Sequence, residues 1–340
     1  MTEAEHFLIV RNDRLGDALL ALPVVSALKD RYPKAQISFL ASPYTAPIIR
    51  CFEGIDQVIE ADDRHAEKAL LQIAEAKISA AICLRPTFSN ARTLARAEIL
   101  TRIGTAYRAY SLYFTERVKV HRKGTGLHEA DLNLALVKRL IPFGEYQFPK
   151  CNLPDDARFE AVNILTAIDC SCYGGIVILH PGSGGSAKEW PLEYYAQVAT
   201  RFRKEGWLVI ATGSASEKSS CEKAIGSERF NFAGATDLLT LAAILQKADL
   251  VIACSTGPLH LANALGRKVL GFYPPLSNSL PSRWGPYGHL DRTLLPEVQE
   301  CQRCRPGAVS KCWCMEQLRP ERVFQKALEI IAERTATDSQ

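Results

Sequence analysis

The apolar run "FLIV" (residues 7–10) leads straight into "RNDRLGDALLALP" (residues 11–23). The first reads as a buried strand. In the second, a glycine followed by Asp17 marks the handover to a helix. An acid at that point either caps the helix or faces a ligand.

The same alternation continues along the chain. Short apolar runs recur as "QISFLA" (36–41), "QVIE" (57–60) and "ISAAICL" (78–84). A second series follows: "GIVILH" (175–180), "WLVIATG" (207–213), "FNFAG" (230–234), "DLVIAC" (249–254) and "KVLGFY" (268–273). Amphipathic stretches such as "LEYYAQVATRFRKEG" lie between them. Strands alternating with helices imply parallel sheets covered on both faces. Two series predict an α/β chain of two doubly wound domains, in keeping with 340 residues, too many for one ordinary core. The seam is expected in "IPFGEYQFPKCNLPDD" (141–156), which holds three prolines and little periodicity. That gives a first domain over 1–155, a second over 156–318 and a final amphipathic helix in 319–340.

Composition sets limits on function. With 47% apolar and 23% charged residues, the chain reads as a soluble globular protein. It has no apolar run long enough for a spanning helix. Its start, "MTEAEHF", lacks the basic and apolar regions of a signal peptide, so a cytoplasmic protein is expected. The net charge of +4 lies in the first half: residues 1–150 hold 21 Lys/Arg against 17 Asp/Glu, and the remainder holds 20 of each. Residues 85–123 carry nine basic residues and two acids, Glu98 and Glu116. That segment either meets an anionic partner or is a solvated face. Arg14, Arg85 and Arg92 are the candidate contacts for such a partner. Nothing calls for nucleic acid.

Ligands of open parallel sheets sit beyond the carboxyl ends of the strands. If two such sheets face each other, their strand-to-helix loops line a cleft. Three loops of the second half stand out. In "ACSTGPLHLANALG" (253–266), Ser255 or Thr256 can cap a helix with Pro258 at its first position. Gly257 lets a ligand approach, and His260 falls in the first turn, where free N–H groups favour anions. An ordinary capped helix with a surface histidine is the plainer alternative. "HPGSGGSAKEWP" (180–191) could form an anion nest, with Lys188 neutralising phosphate charge, or it is a flexible loop. In "ATGSASEKSS" (211–220), Glu217 could accept hydrogen bonds from ribose hydroxyls or simply complement a helix dipole. The chain has neither the Walker spacing nor a G-x-G-x-x-G fingerprint, which argues against a nicotinamide enzyme. Together the three loops fit a nucleotide diphosphate. Asp17, across the cleft, could then remove a proton from an acceptor hydroxyl, with Asp13 as the rival carboxylate.

These loops, with "RLGDALLALPVVSALKDRYP" near the start and "CQRCRPGAVSKCWCMEQLRPERV" near the end, resemble glycosyltransferase family 9, the heptosyltransferases of lipopolysaccharide core assembly. The resemblance implies a GT-B fold: two Rossmann-like domains facing across a cleft, the last helix crossing back to the first. It implies an inverting transfer, without metal or other cofactor, from ADP-heptose to an anionic Kdo- or heptose-bearing lipid A core. Such an enzyme would work at the inner face of the cytoplasmic membrane. Asp17 matches the general base of the family's Leu-Gly-Asp motif. Lys188 matches the lysine near the donor phosphates, Glu217 the ribose acid, and Thr256, Gly257 and His260 the pyrophosphate element. Many members carry aspartate where this chain has Ser255, which leaves the donor sugar open. A sugar-nucleotide 2-epimerase of the same architecture and a non-catalytic nucleotide-sugar binder are the alternative readings.

Eleven cysteines suit a reducing compartment as buried thiols or metal ligands. Cys301, Cys304, Cys312 and Cys314 form a C-x2-C-x7-C-x-C pattern. Its first half has the spacing of a structural zinc site and its second half does not.

Overall fold

The structure is a computed structural model and describes residues 6–122, 124–142, 144–169, 172–298 and 312–333. The chain divides into two compact units, residues 1–152 and 153–340.

In the first unit six strands form one parallel sheet: β1 (His6–Val10), β2 (Gln36–Ala41), β3 (Gln57–Glu60), β4 (Ala80–Cys83), β5 (Thr101–Thr105) and β6 (Glu116–Val118). Their order is β3-β2-β1-β4-β5-β6. Helices cover both faces of such a sheet, so its central strands are apolar on both sides. Phe7, Leu8, Ile9 and Val10 of β1 are accordingly fully buried. Val10 pairs with Leu40 on one side and with Cys83 on the other. The chain winds from β1 in one direction to β2 and β3, and in the other to β4, β5 and β6. The loops after β1 and β4 therefore flank the point where the winding reverses, the favoured place for a ligand.

The second unit repeats the plan with β7 (Ile176–His180), β8 (Leu208–Ala211), β9 (Leu250–Cys254), β10 (Val269–Phe272) and β11 (Thr293–Leu294). All pairings are parallel, in the order β11-β10-β9-β7-β8. The strands β8, β7 and β9 are neighbours, so the loops that follow them lie side by side.

Several details differ from the sequence reading. "FNFAG" does not form a strand. It contributes one bridge, Ala211 to Asn231, and the Asn231 side chain bonds Lys218 O at the start of the helix Lys218–Ile225 and Ala233 N. The strands β5, β6 and β11 are short, polar edge or near-edge strands without an apolar run to announce them. The final helix, Pro320–Ala332, buries Val323, Ala327 and Ile330 in the core of the second unit. Phe324 meets Phe202 edge-on, with ring centroids 4.9 Å apart, and Glu321 pairs with Arg201. The resemblance implied that this helix crosses back to the first domain; its apolar face is engaged in the second unit. Among the described residues no helix is long and apolar enough to cross a membrane.

Candidate active site

In the first unit the site is organised by a residue that the sequence reading passed over. Arg11 follows β1 directly and its side chain is 4% exposed. It donates to Asp13 at 2.9 Å, to Asp17, and to Glu129 at 3.2 Å. Burial opposes its charge, but Asp17, Asp13 and Glu129 together outweigh that cost and raise its pKa above the usual value. Glu129, 1% exposed, also accepts from Arg122, which reaches the Leu84 carbonyl and Asn133. Asp13 is 8% exposed and takes a second contact from Arg85, which also pairs with Asp63. Burial raises the Asp13 pKa against the pull of Arg11, and the Asp17 charge adds to the rise.

Asp17 sits inside the short helix Leu15–Leu19, not at its cap. Arg14 holds the N-cap position without a side-chain bond. Of the three carboxylates on Arg11, Asp17 is the most open, at 19%. The answer to the opening alternative is that Asp17 is no cap: it is an ion-paired carboxylate at the reversal point of the sheet.

The basic segment 85–123 is less open than its charge suggests. Arg85 and Arg122 serve the network just described. Arg102 is engaged by the carbonyls of Tyr113 and Ile99, and Arg117 by that of Phe114. Arg14 and Arg92 are exposed.

In the second unit Glu217 lies between the first two loops. Its carboxylate accepts from the Ser214 N–H and hydroxyl, each at 2.8 Å, and from the Gly184 N–H at 3.3 Å. These bonds outweigh burial and lower its pKa. The Ser214 pair is a capping box, so Glu217 builds its own loop whatever else it binds. A Cβ at Gly182 would strike the Glu217 carboxylate and oblige it to move. Beneath them His180, the last residue of β7, hydrogen-bonds Thr212 at 3.0 Å. Burial pulls its pKa down to about 4, against the charge of Glu217. His180 opens the motif "HPGSGGSAKEWP" but was given no role there; its signal was a histidine closing an otherwise apolar strand.

The third loop begins the helix Gly257–Ala264. Thr256 is its N-cap residue, yet its hydroxyl makes no cap bond, and Pro258 is the second helical residue, not the first. Thr256 is 4% exposed, and among the described residues its Oγ1 has no hydrogen-bond partner. A buried hydroxyl left this way is costly unless a ligand completes it. The first N–H groups of the helix share its need for an acceptor. His260, in the first turn, is 4% exposed and is no surface histidine. Ser255 bonds the Tyr273 hydroxyl, which donates in turn to the Trp284 carbonyl at 2.9 Å. Lys188 is half-buried in the loop after β7.

Cys312 and Cys314 are buried, whereas Cys301 and Cys304 lie outside the described residues. Among the described residues no three His, Cys, Asp or Glu side chains are grouped as a metal ion requires.

The model of "Glycosyltransferase family 9 (heptosyltransferase)" matches residues 71–313. A putative glycosyltransferase of Haemophilus influenzae is 29% identical over 305 residues, 85% of this chain and 88% of that protein. Lipooligosaccharide heptosyltransferase 2 of Campylobacter jejuni is 25% identical, over 92% of this chain and 95% of its own length. The structure of the E. coli ADP-heptose lps heptosyltransferase II superposes with a TM-score of 0.76 at 19% identity, covering 96% of this chain and 98% of that one. The shared fold is GT-B, two Rossmann-like units. With a family model spanning most of its length, the chain belongs to glycosyltransferase family 9 and is a glycosyltransferase.

Proposed function

We propose that this chain transfers a heptose from ADP-heptose to a Kdo- or heptose-bearing lipid A core, with inversion and without a metal ion. Two similar proteins support the donor and acceptor classes by name: a lipooligosaccharide heptosyltransferase and an ADP-heptose lps heptosyltransferase. The second unit holds the donor. The start of the helix Gly257–Ala264, the Thr256 hydroxyl, His260 and Lys188 meet the diphosphate, and Glu217 accepts from the ribose hydroxyls. The first unit holds the acceptor, with Arg14, Arg85 and Arg92 as contacts for its anionic groups.

Asp17 takes the proton of the acceptor hydroxyl as that oxygen bonds the anomeric carbon and the bond to the diphosphate breaks. ADP leaves with the negative charge, which Lys188 and the helix start stabilise. The observation that carries this reading is the contrast on Arg11. Asp13 is held by two guanidinium groups and Glu129 is fully buried, while Asp17 remains open to a substrate. The enzyme then acts as a peripheral protein at the inner face of the cytoplasmic membrane.

The test is incubation with ADP-heptose and Kdo-lipid A or its monoheptosylated form, followed by mass spectrometry. Addition of one heptose that requires acceptor is expected. Turnover of the donor without acceptor would indicate an epimerase, and binding without turnover a non-catalytic protein.

A further inference from the structure

The helix Phe88–Arg96 shows solvent a stripe that neither unit's sheet uses. Phe88, Arg92 and Arg96 stand at positions i, i+4 and i+8, so they share one face. All three are exposed, Phe88 at 55%. The 3-10 helix Ala109–Tyr113 packs beside it: the Phe88 and Tyr113 rings meet edge-on, with centroids 5.9 Å apart. This second element exposes Leu112 at 76% and is preceded by the exposed Arg108. Among the described residues none of Arg92, Arg96 and Arg108 forms an ion pair, unlike Arg85 and Arg122 of the same segment. From residue 88 to 115 the sequence has one acid, Glu98.

A folded protein gains nothing from two large apolar side chains held in water beside three unpaired cations. An anionic bilayer satisfies both: apolar tips enter the acyl boundary while guanidinium groups remain among the headgroup phosphates. We propose that Phe88 and Leu112, flanked by Arg92, Arg96 and Arg108, dock the protein on a membrane surface rich in anionic phospholipid. Nucleic acid or an acidic protein would use the arginines but leave Phe88 and Leu112 without a role. The proposal deepens the transfer reading, since a lipid-borne acceptor lies in such a surface, but its test needs no turnover.

The experiment is flotation of the full chain with vesicles of phosphatidylcholine alone and of phosphatidylcholine containing a quarter phosphatidylglycerol. The wild type is expected to float with the anionic vesicles only, and less as salt rises, because screening acts within about 10 Å at 0.1 M. Each of Arg92→Gln, Arg96→Gln and Arg108→Gln should weaken binding about fivefold. Leu112→Ser, which disturbs no ring contact, should weaken it about tenfold, and Phe88→Ser at least as much. Lys204→Gln, an exposed charge of the second unit, should float as the wild type does. Equal binding to neutral vesicles, wild-type flotation of the arginine and Leu112 variants, or an equal loss in Lys204→Gln would overturn the proposal. So would capture of an oligonucleotide or polyglutamate through these residues with no flotation. If the variants lose flotation but the wild type transfers no heptose, the docking surface stands and the transfer reading fails.

Discussion

Arg11 and Asp17 are ion-paired six residues apart, the guanidinium buried at the end of β1 and the carboxylate in the first turn of the next helix. One buried cation thus fixes the direction of the most open carboxylate at the sheet's reversal point. It also binds Asp13 and Glu129, each of which has one further guanidinium partner, Arg85 and Arg122. Arg11→Gln should therefore destabilise the first unit by about 3–5 kcal/mol, the usual result of stripping one member from a buried charge network. Urea denaturation checks this. A loss no larger than that of an exposed ion pair would mean the carboxylates find other partners.

Thr256 offers a test in which stability and binding separate. Its buried hydroxyl has no partner among the described residues, so Thr256→Val removes a desolvated group and should leave the melting temperature unchanged or raise it. On the proposed reading, in which the hydroxyl donates to the diphosphate, the same change should weaken ADP binding about tenfold. A variant that melts lower and binds ADP as well as the wild type would show that the hydroxyl serves the fold alone.

Lys188→Ala and His260→Ala should each weaken ADP and ADP-sugar binding by about 1.5–3 kcal/mol, the range for hydrogen bonds to charged groups. Titration calorimetry with free ADP reads this without any need for turnover. Unchanged affinity in both variants would place the diphosphate elsewhere.

His180 makes the second unit sensitive to acid. Its pKa is about 4 in the folded chain against 6.5 unperturbed, so between those values the unfolded chain holds a proton that the native chain lacks. Stability is thus full above pH 6.5 and falls as pH drops towards 4, by about 3 kcal/mol at most. His180→Gln should flatten the fall between these limits. Parallel pH dependences in wild type and variant would remove His180 as the cause.

Much of this was legible in the sequence because of how parallel sheets are buried. A strand covered on both faces must be apolar throughout, which is why "FLIV", "DLVIAC" and "GIVILH" stand out. The strands β5, β6 and β11 lie at or near sheet edges, and "TRIGT" and "ERV" carry no such run. The loops proposed for the site were legible from local composition, as at Thr256–Gly257 and Glu217. It was not where a charge is buried through tertiary contacts. In "RNDRLGD" the two acids drew the reading, while the arginine that joins them depends on Glu129, more than a hundred residues away. The capping box of Glu217 was present as Ser214 three residues ahead of the acid, a local pattern that its proximity to two glycine-rich loops obscured.

The central claim is that Asp17 is the base of a heptosyl transfer. The most direct measurement is the single-turnover rate of Asp17→Asn beside its affinity for ADP-heptose. The substitution keeps size and removes the proton acceptor, so transfer should fall about 10²–10⁴-fold while donor affinity stays within a factor of about two. Turnover at the wild-type rate would contradict the account and move the search to Asp13.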